Sequence, residues 1–188
     1  MNFANKISTF RILTVPFFIA SIVYYAPERD YLRLVSLVIF IVAVFSDAVD
    51  GYIARKSKQQ SPAGLILDPL GDKLLLMSAF ICLALGKFSI TFPLWVTLIV
   101  ISRDVLILLG AAVIYMVKQR INILPTKWGK LTTIFQMSAV IIVLLQTPIK
   151  IAQVFWWLAV LFTVISGADY IMRGFKTLYA LDNPRNSH

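Results

Sequence analysis

The chain has 188 residues, of which 59% are hydrophobic, and a mean hydropathy of +0.82; this excludes an ordinary soluble domain. Lys and Arg number 18 against nine acidic residues, for a formal charge of +9. In so apolar a chain that excess reports membrane topology and contact with anionic lipid, not nucleic acid.

Stretches of roughly 20 apolar residues are long enough to cross a bilayer, and several follow one another here with short gaps. They are continuous and not alternating, which selects helices over a barrel. The expected fold is an all-α integral membrane protein, one domain over 1–188. It is a bundle of six transmembrane helices with a short amphipathic N-terminal segment. That segment, residues 1–11, leads into a first span over 12–25, bent at Pro16. No small-residue cleavage site follows this run, so it reads as a retained span. A polar turn at 26–30 precedes the second span, 31–55. After a basic loop, Ser61-Pro62 supplies a hydroxyl cap and a proline at the first helical position. The third span then continues to Leu85 and stops at Gly86. The fourth covers 90–117 and contains Arg103-Asp104; a basic connection with Pro125 leads to the fifth, 131–146. Thr147-Pro148 closes it, and the sixth covers 151–179.

Six spans put both termini on one side. Twelve basic residues fall on that side, against Arg29, Arg33, Lys87 and Lys150 on the other, so both termini are expected in the cytoplasm. The single cysteine, Cys82, lies in an apolar run and reads as a buried, inert thiol, with no disulfide framework possible. Trp95, Trp128, Trp156 and Trp157 fall near span ends and read as interfacial anchors. Asp169 and Arg173 are spaced i, i+4 and read as a structural pair.

The informative stretch is Asp47 to Asp72. Asp47, Asp50, Gly51 and Ala54 are spaced i, i+3, i+4, i+7, which is one helix face; Gly64, Asp68 and Asp72 share a face by fours. Two neighbouring helices can thus present four carboxylates to one another. Asp47 lies about 24 Å along a helix begun near Tyr31, toward the cytoplasmic end. Four close carboxylates need counter-charge to stay ionised. Oxygen donors suit Mg²⁺, Mn²⁺ or Ca²⁺, and two divalent cations balance four negative charges. Gly51 and Ala54 leave room for a ligand, and Arg55 offers a fork suited to phosphate. Pairing with local cations such as Arg55, Lys56 and Lys73 is the plainer alternative.

The stretch matches D-x2-D-G-x2-A-R-x8-G-x3-D-x3-D at every fixed position, and in this it resembles the CDP-alcohol phosphotransferases. Six spans and cytoplasmic termini also fit that family. The resemblance implies phospholipid biosynthesis: an acceptor hydroxyl attacks the β-phosphorus of CDP-diacylglycerol and CMP leaves. It implies Asp47, Asp50 and Asp68 as ligands of two divalent cations, Mg²⁺ or Mn²⁺. Asp72 is implied as the general base, touching a metal as well. Gly51, Ala54, Arg55 and Gly64 would line the CDP site, Ser61 would meet its phosphates at a helix N-terminus, and Asn5 would contribute from the lead-in. A homodimer is implied too.

For a phosphorylated acceptor the candidate cations are Arg103, Lys127 and Lys130. Arg103 beside Asp104 is also readable as a structural pair, and the lysines as topology determinants. Gly129-Lys130-x-x-Thr133 followed by Gln136 resembles the phosphatidylglycerophosphate synthases, which use glycerol 3-phosphate and usually carry a second lysine where Thr132 stands. Ile101-Ser-Arg-Asp104-Val is similar to the cardiolipin synthases, whose acceptor is phosphatidylglycerol. Glycerol 3-phosphate is favoured. Of other classes, a divalent-cation transporter is the main competitor, since membrane carboxylates often mark ion paths. A prenyltransferase would lack the Gly51-x-x-Ala54-Arg55 continuation.

Overall fold

The computed structural model describes residues 3–57, 64–118 and 127–182, with side chains over 12–46, 73–110 and 127–174. Within them the chain forms six helices: α1 (Phe3–Val23), α2 (Tyr31–Ser57), α3 (Gly64–Leu85), α4 (Leu94–Lys118), α5 (Lys127–Leu144) and α6 (Ile149–Asp182). The expected lead-in is not a separate element. It joins the first apolar run in one helix that passes through Pro16. The later boundaries follow local chemistry. Pro93 precedes α4 and Pro148 precedes α6 by backbone position, and each carbonyl accepts from the amides three and four residues on. Proline lacks an N–H, and a helix start is where that donor is not needed.

α1 packs on α2 and α3, α5 on α6, and α4 on α6, with α3 and α2 also reaching α5. The centre is aromatic: Phe18, Phe40, Phe80 and Phe92 are fully buried or nearly so. Phe80 stacks on Phe92 at 4.4 Å between centroids, and Phe92 leans on Trp156 at 6.2 Å. Across α1 and α2, the Ser21 and Ser36 hydroxyls share a hydrogen bond of 2.7 Å. Trp156 corrects the expectation of four interfacial anchors. It is 6% exposed and belongs to the core, whereas Trp157, one residue and about 100° further round the helix, is 63% exposed and leans on Trp95.

The outside is also apolar. Every helix shows large exposed hydrophobics, among them Phe17, Phe45, Leu85, Leu98, Ile134 and Leu161. Among the described residues one segment, Ile149–Gly174, is long and apolar enough to cross a membrane; shorter apolar stretches are Ile12–Val23, Tyr31–Ser46 and Lys73–Leu85.

Three connections meet at one end of the bundle and are tied together. Arg33 at the start of α2 grips Asp30 through two hydrogen bonds of 2.7 Å and donates a third, 2.9 Å, to the Leu144 carbonyl at the end of α5. Tyr25 stacks on Phe88 at 4.2 Å. Gly86 permits that packing, since a Cβ there would lie 2.8 Å from the Phe88 ring and 2.9 Å from the Cys82 carbonyl oxygen. Gln146 ends α5 with φ 51°, a left-handed conformation that usually falls to glycine. Its side-chain amide accepts from Ile90 N at 2.9 Å and donates to Ile90 O at 3.0 Å and Val143 O at 2.7 Å. One glutamine thereby closes its own helix and pins the α3–α4 connection.

Candidate active site

The stretch of four aspartates lies at the opposite end from these tied connections. Asp47 and Asp50 fall in the C-terminal half of α2, and Asp68 and Asp72 in the first turns of α3. Both helices pack against α1, so the fold carries the two carboxylate pairs on helices that share a neighbour. Gly51, Ala54 and Arg55 follow on α2, Gly64 opens α3, and Asn5 belongs to the first turn of α1. The side chains of all these residues lie outside the described residues, as does Ser61 entirely.

One residue beyond Asp72 the side chains are described, and a buried polar network begins. Lys73 donates from Nζ to Asp104 Oδ1 on α4 at 2.6 Å. Arg103 Nη1 donates to the same oxygen at 2.7 Å, and Nη2 donates to the Ser166 hydroxyl on α6. Asp104 has no exposed surface and Arg103 is 8% exposed. Three helices are thereby joined by charged and hydroxyl groups in an apolar surrounding, where such bonds are strong and unpaired groups costly. The network holds two cations and one anion. Asp104 Oδ2 and Arg103 Nε are buried without a partner among the described residues.

This sorts the three candidate acceptor cations. Arg103 is enclosed, with two guanidinium nitrogens engaged by Asp104 and Ser166. Adjacent residues on a helix do not face each other, yet the pair forms, with the Arg103 stem packed beside Gly167 on α6. Lys127 and Lys130 are exposed in the first turn of α5, where their charges add to the positive end of the helix dipole. Of the local cations weighed as partners of the four acids, Lys73 is bound to Asp104.

A second polar cluster ties α5 to α6. Gln136, fully buried, donates to Thr163 Oγ1 at 3.0 Å, and Thr163 in turn donates to the Ala159 carbonyl. Thr132, also fully buried, shares its hydroxyl between the carbonyls of Trp128 and Phe162 at 2.9 and 2.8 Å. Ser166 and Thr163 were not among the expected functional residues. Their signal was available: two hydroxyls three apart within an apolar run, hence on one face. The pair Asp169–Arg173 forms as its spacing suggests, at 2.9 Å.

The profile of the CDP-alcohol phosphatidyltransferases matches residues 1–165 of the chain. The chain belongs to that family. Several bacterial relatives align over nearly the whole length. A probable phosphatidylglycerophosphate synthase of Mycobacterium tuberculosis is 33% identical over 182 residues, covering 94% of this chain and 83% of its own. The CDP-diacylglycerol–glycerol-3-phosphate 3-phosphatidyltransferase of Bacillus subtilis is 33% identical over 200 residues, covering 94% and 97%. A Schizosaccharomyces pombe fusion of cardiolipin synthase (CMP-forming) with a mitochondrial hydrolase is 40% identical over 103 residues, covering 55% of this chain and 16% of its own. The family match includes the Asp47–Asp72 stretch and the Lys73–Asp104 contact, but ends before Ser166.

Proposed function

We propose that this chain is a CDP-diacylglycerol–glycerol-3-phosphate 3-phosphatidyltransferase of phospholipid biosynthesis. The observation that carries the reading is the agreement of full-length bacterial relatives on that activity, in a chain whose α2 and α3 carry the complete aspartate stretch. The glycerol 3-phosphate hydroxyl attacks the β-phosphorus of CDP-diacylglycerol. A new P–O bond forms, the bond to CMP breaks, and phosphatidylglycerophosphate results.

Each residue role follows from its chemistry and place. An alcohol is a poor nucleophile at neutral pH, so a carboxylate at the site helps by taking its proton; Asp72 is assigned that part. Asp47, Asp50 and Asp68, with Asp72, form an all-oxygen donor set, which fits two Mg²⁺ or Mn²⁺ ions. Such ions, when bound, stabilise the charge of the diphosphate and the leaving group. Gly51 and Ala54 keep their face of α2 low beside the CDP moiety, with Gly64, Ser61 and Asn5 around it and Arg55 pairing with phosphate. Lys127 and Lys130 are suited to draw in the acceptor phosphate; Arg103, the third cation assigned to the acceptor, is buried and already engaged by Asp104 and Ser166.

The apolar outer surface supports a bundle spanning the membrane six times, and the basic-residue bias supports a cytoplasmic site and termini. The homodimer rests on family resemblance. A second reading, with phosphatidylglycerol as acceptor, is favoured by Ile101-Ser-Arg-Asp104 and the cardiolipin synthase relative.

The test supplies purified chain with CDP-diacylglycerol, Mg²⁺ or Mn²⁺, and each acceptor separately. CMP release with glycerol 3-phosphate and a phosphatidylglycerophosphate product is expected. Release only with phosphatidylglycerol would transfer the assignment to cardiolipin synthesis. Release with neither, together with Mn²⁺ uptake into liposomes, would support the transporter.

A further inference from the structure

Lys73 is immediately next to Asp72 in sequence, and its ammonium is the nearest described cation to the aspartate stretch along the chain. A unit charge in a weakly polarisable interior acts over many ångströms without touching its target. An unneutralised ammonium there would oppose the binding of divalent cations by the preceding acids, both by repelling the cations and by competing for the carboxylates. The structure holds this ammonium 2.6 Å from Asp104 Oδ1 on a different helix. Asp104 is fully buried, and its same oxygen also takes Arg103. Arg103 is in turn anchored to Ser166.

We propose that Asp104 is a positioning residue for the divalent-cation site: its buried carboxylate, shared with Arg103, holds Lys73 toward α4 and offsets part of its charge, keeping the ammonium off the carboxylates that precede it on α3. This rests on the reading of Asp47, Asp50, Asp68 and Asp72 as cation ligands. A purely structural network would also suffer more from loss of Asp104, which strands Arg103 as well as Lys73. It would not be rescued by removing Lys73 in addition, since Arg103 stays stranded; rescue by the double variant belongs to the positioning role alone. The positioning role is asymmetric: loss of Asp104 frees a cation, while loss of Lys73 removes the one that had to be restrained.

Direct Mn²⁺ binding to the purified full-length chain in detergent, read by calorimetry without substrate, tests this. Asp104→Asn should weaken Mn²⁺ binding about tenfold. Lys73→Met should bind as tightly as wild type or more so, and Lys73→Met with Asp104→Asn should recover to within about threefold of wild type. Asp104→Glu keeps the charge and should bind like wild type; a Glu variant as weak as the Asn variant would overturn the proposal even if Asn impairs folding. Equal loss in both single variants, or a double variant no better than Asp104→Asn, would also overturn it. Normal Mn²⁺ affinity in Asp104→Asn would defeat this proposal alone, whereas wild-type chain that binds no Mn²⁺ would defeat the cation reading and this proposal with it.

Discussion

Thr163→Val offers a sharp test of how α5 and α6 are held together. The two side chains have nearly the same shape, so packing changes little while the hydroxyl is lost. Gln136 Nε2 then loses its 3.0 Å acceptor at a fully buried position where Gln136 Oε1 already has no partner. A buried polar group left unsatisfied costs about 1–3 kcal/mol in soluble proteins, while side-chain hydrogen bonds between membrane helices average about 0.6 kcal/mol. The expected loss lies between, at about 1 kcal/mol. Gln136→Leu removes the donor and the orphaned oxygen together and leaves Thr163 bonded to the Ala159 carbonyl, so it should fall within about 0.5 kcal/mol of wild type. Added to Thr163→Val, Gln136→Leu should restore most of the loss. Thermal unfolding in detergent reads this, at roughly 2–4 °C per kcal/mol for a chain of this size. A Thr163→Val protein that melts with wild type, or a Gln136→Leu protein that loses more than Thr163→Val, would refute the reasoning.

Asp72→Asn should reduce CMP release by about 10²–10⁴-fold with a smaller loss of Mn²⁺ affinity; near-normal release would remove Asp72 as the base. Asp30 provides a pH test. The Arg33 hydrogen bonds hold its carboxyl below the usual carboxylate range, so its contribution is complete above about pH 4 and fades as pH falls through the folded value. Asp30→Asn should therefore melt below wild type at neutral pH, with the gap closing in acid; a gap unchanged at about pH 2 would assign it to something other than ionisation.

The six helices were legible because apolar run length and proline position act locally. Tyr31 and Leu85 as boundaries came directly from that, as did the aspartate stretch, whose spacing is a property of one helix at a time. What escaped were choices made between helices. Lys73 has acids before it on its own helix, yet it pairs across to Asp104, and only the packing of α3 on α4 decides that. Trp156 and Trp157 look alike as neighbours in sequence, and one turns inward because α6 is seated by its contacts with α5 and α4. The left-handed Gln146 gave no signal at all, since glycine is the residue that ordinarily marks such a position.

The tied end has a consequence for how the helices can move against one another. Arg33 on the Leu144 carbonyl, Tyr25 on Phe88, and the Gln146 amide on Ile90 clasp the three connections to each other. Splaying the helices at that end would mean breaking contacts among all three connections together. A relative tilt of α2 and α3 therefore pivots about the clasp, and its largest displacement falls on the helix ends that carry Asp47 and Asp68.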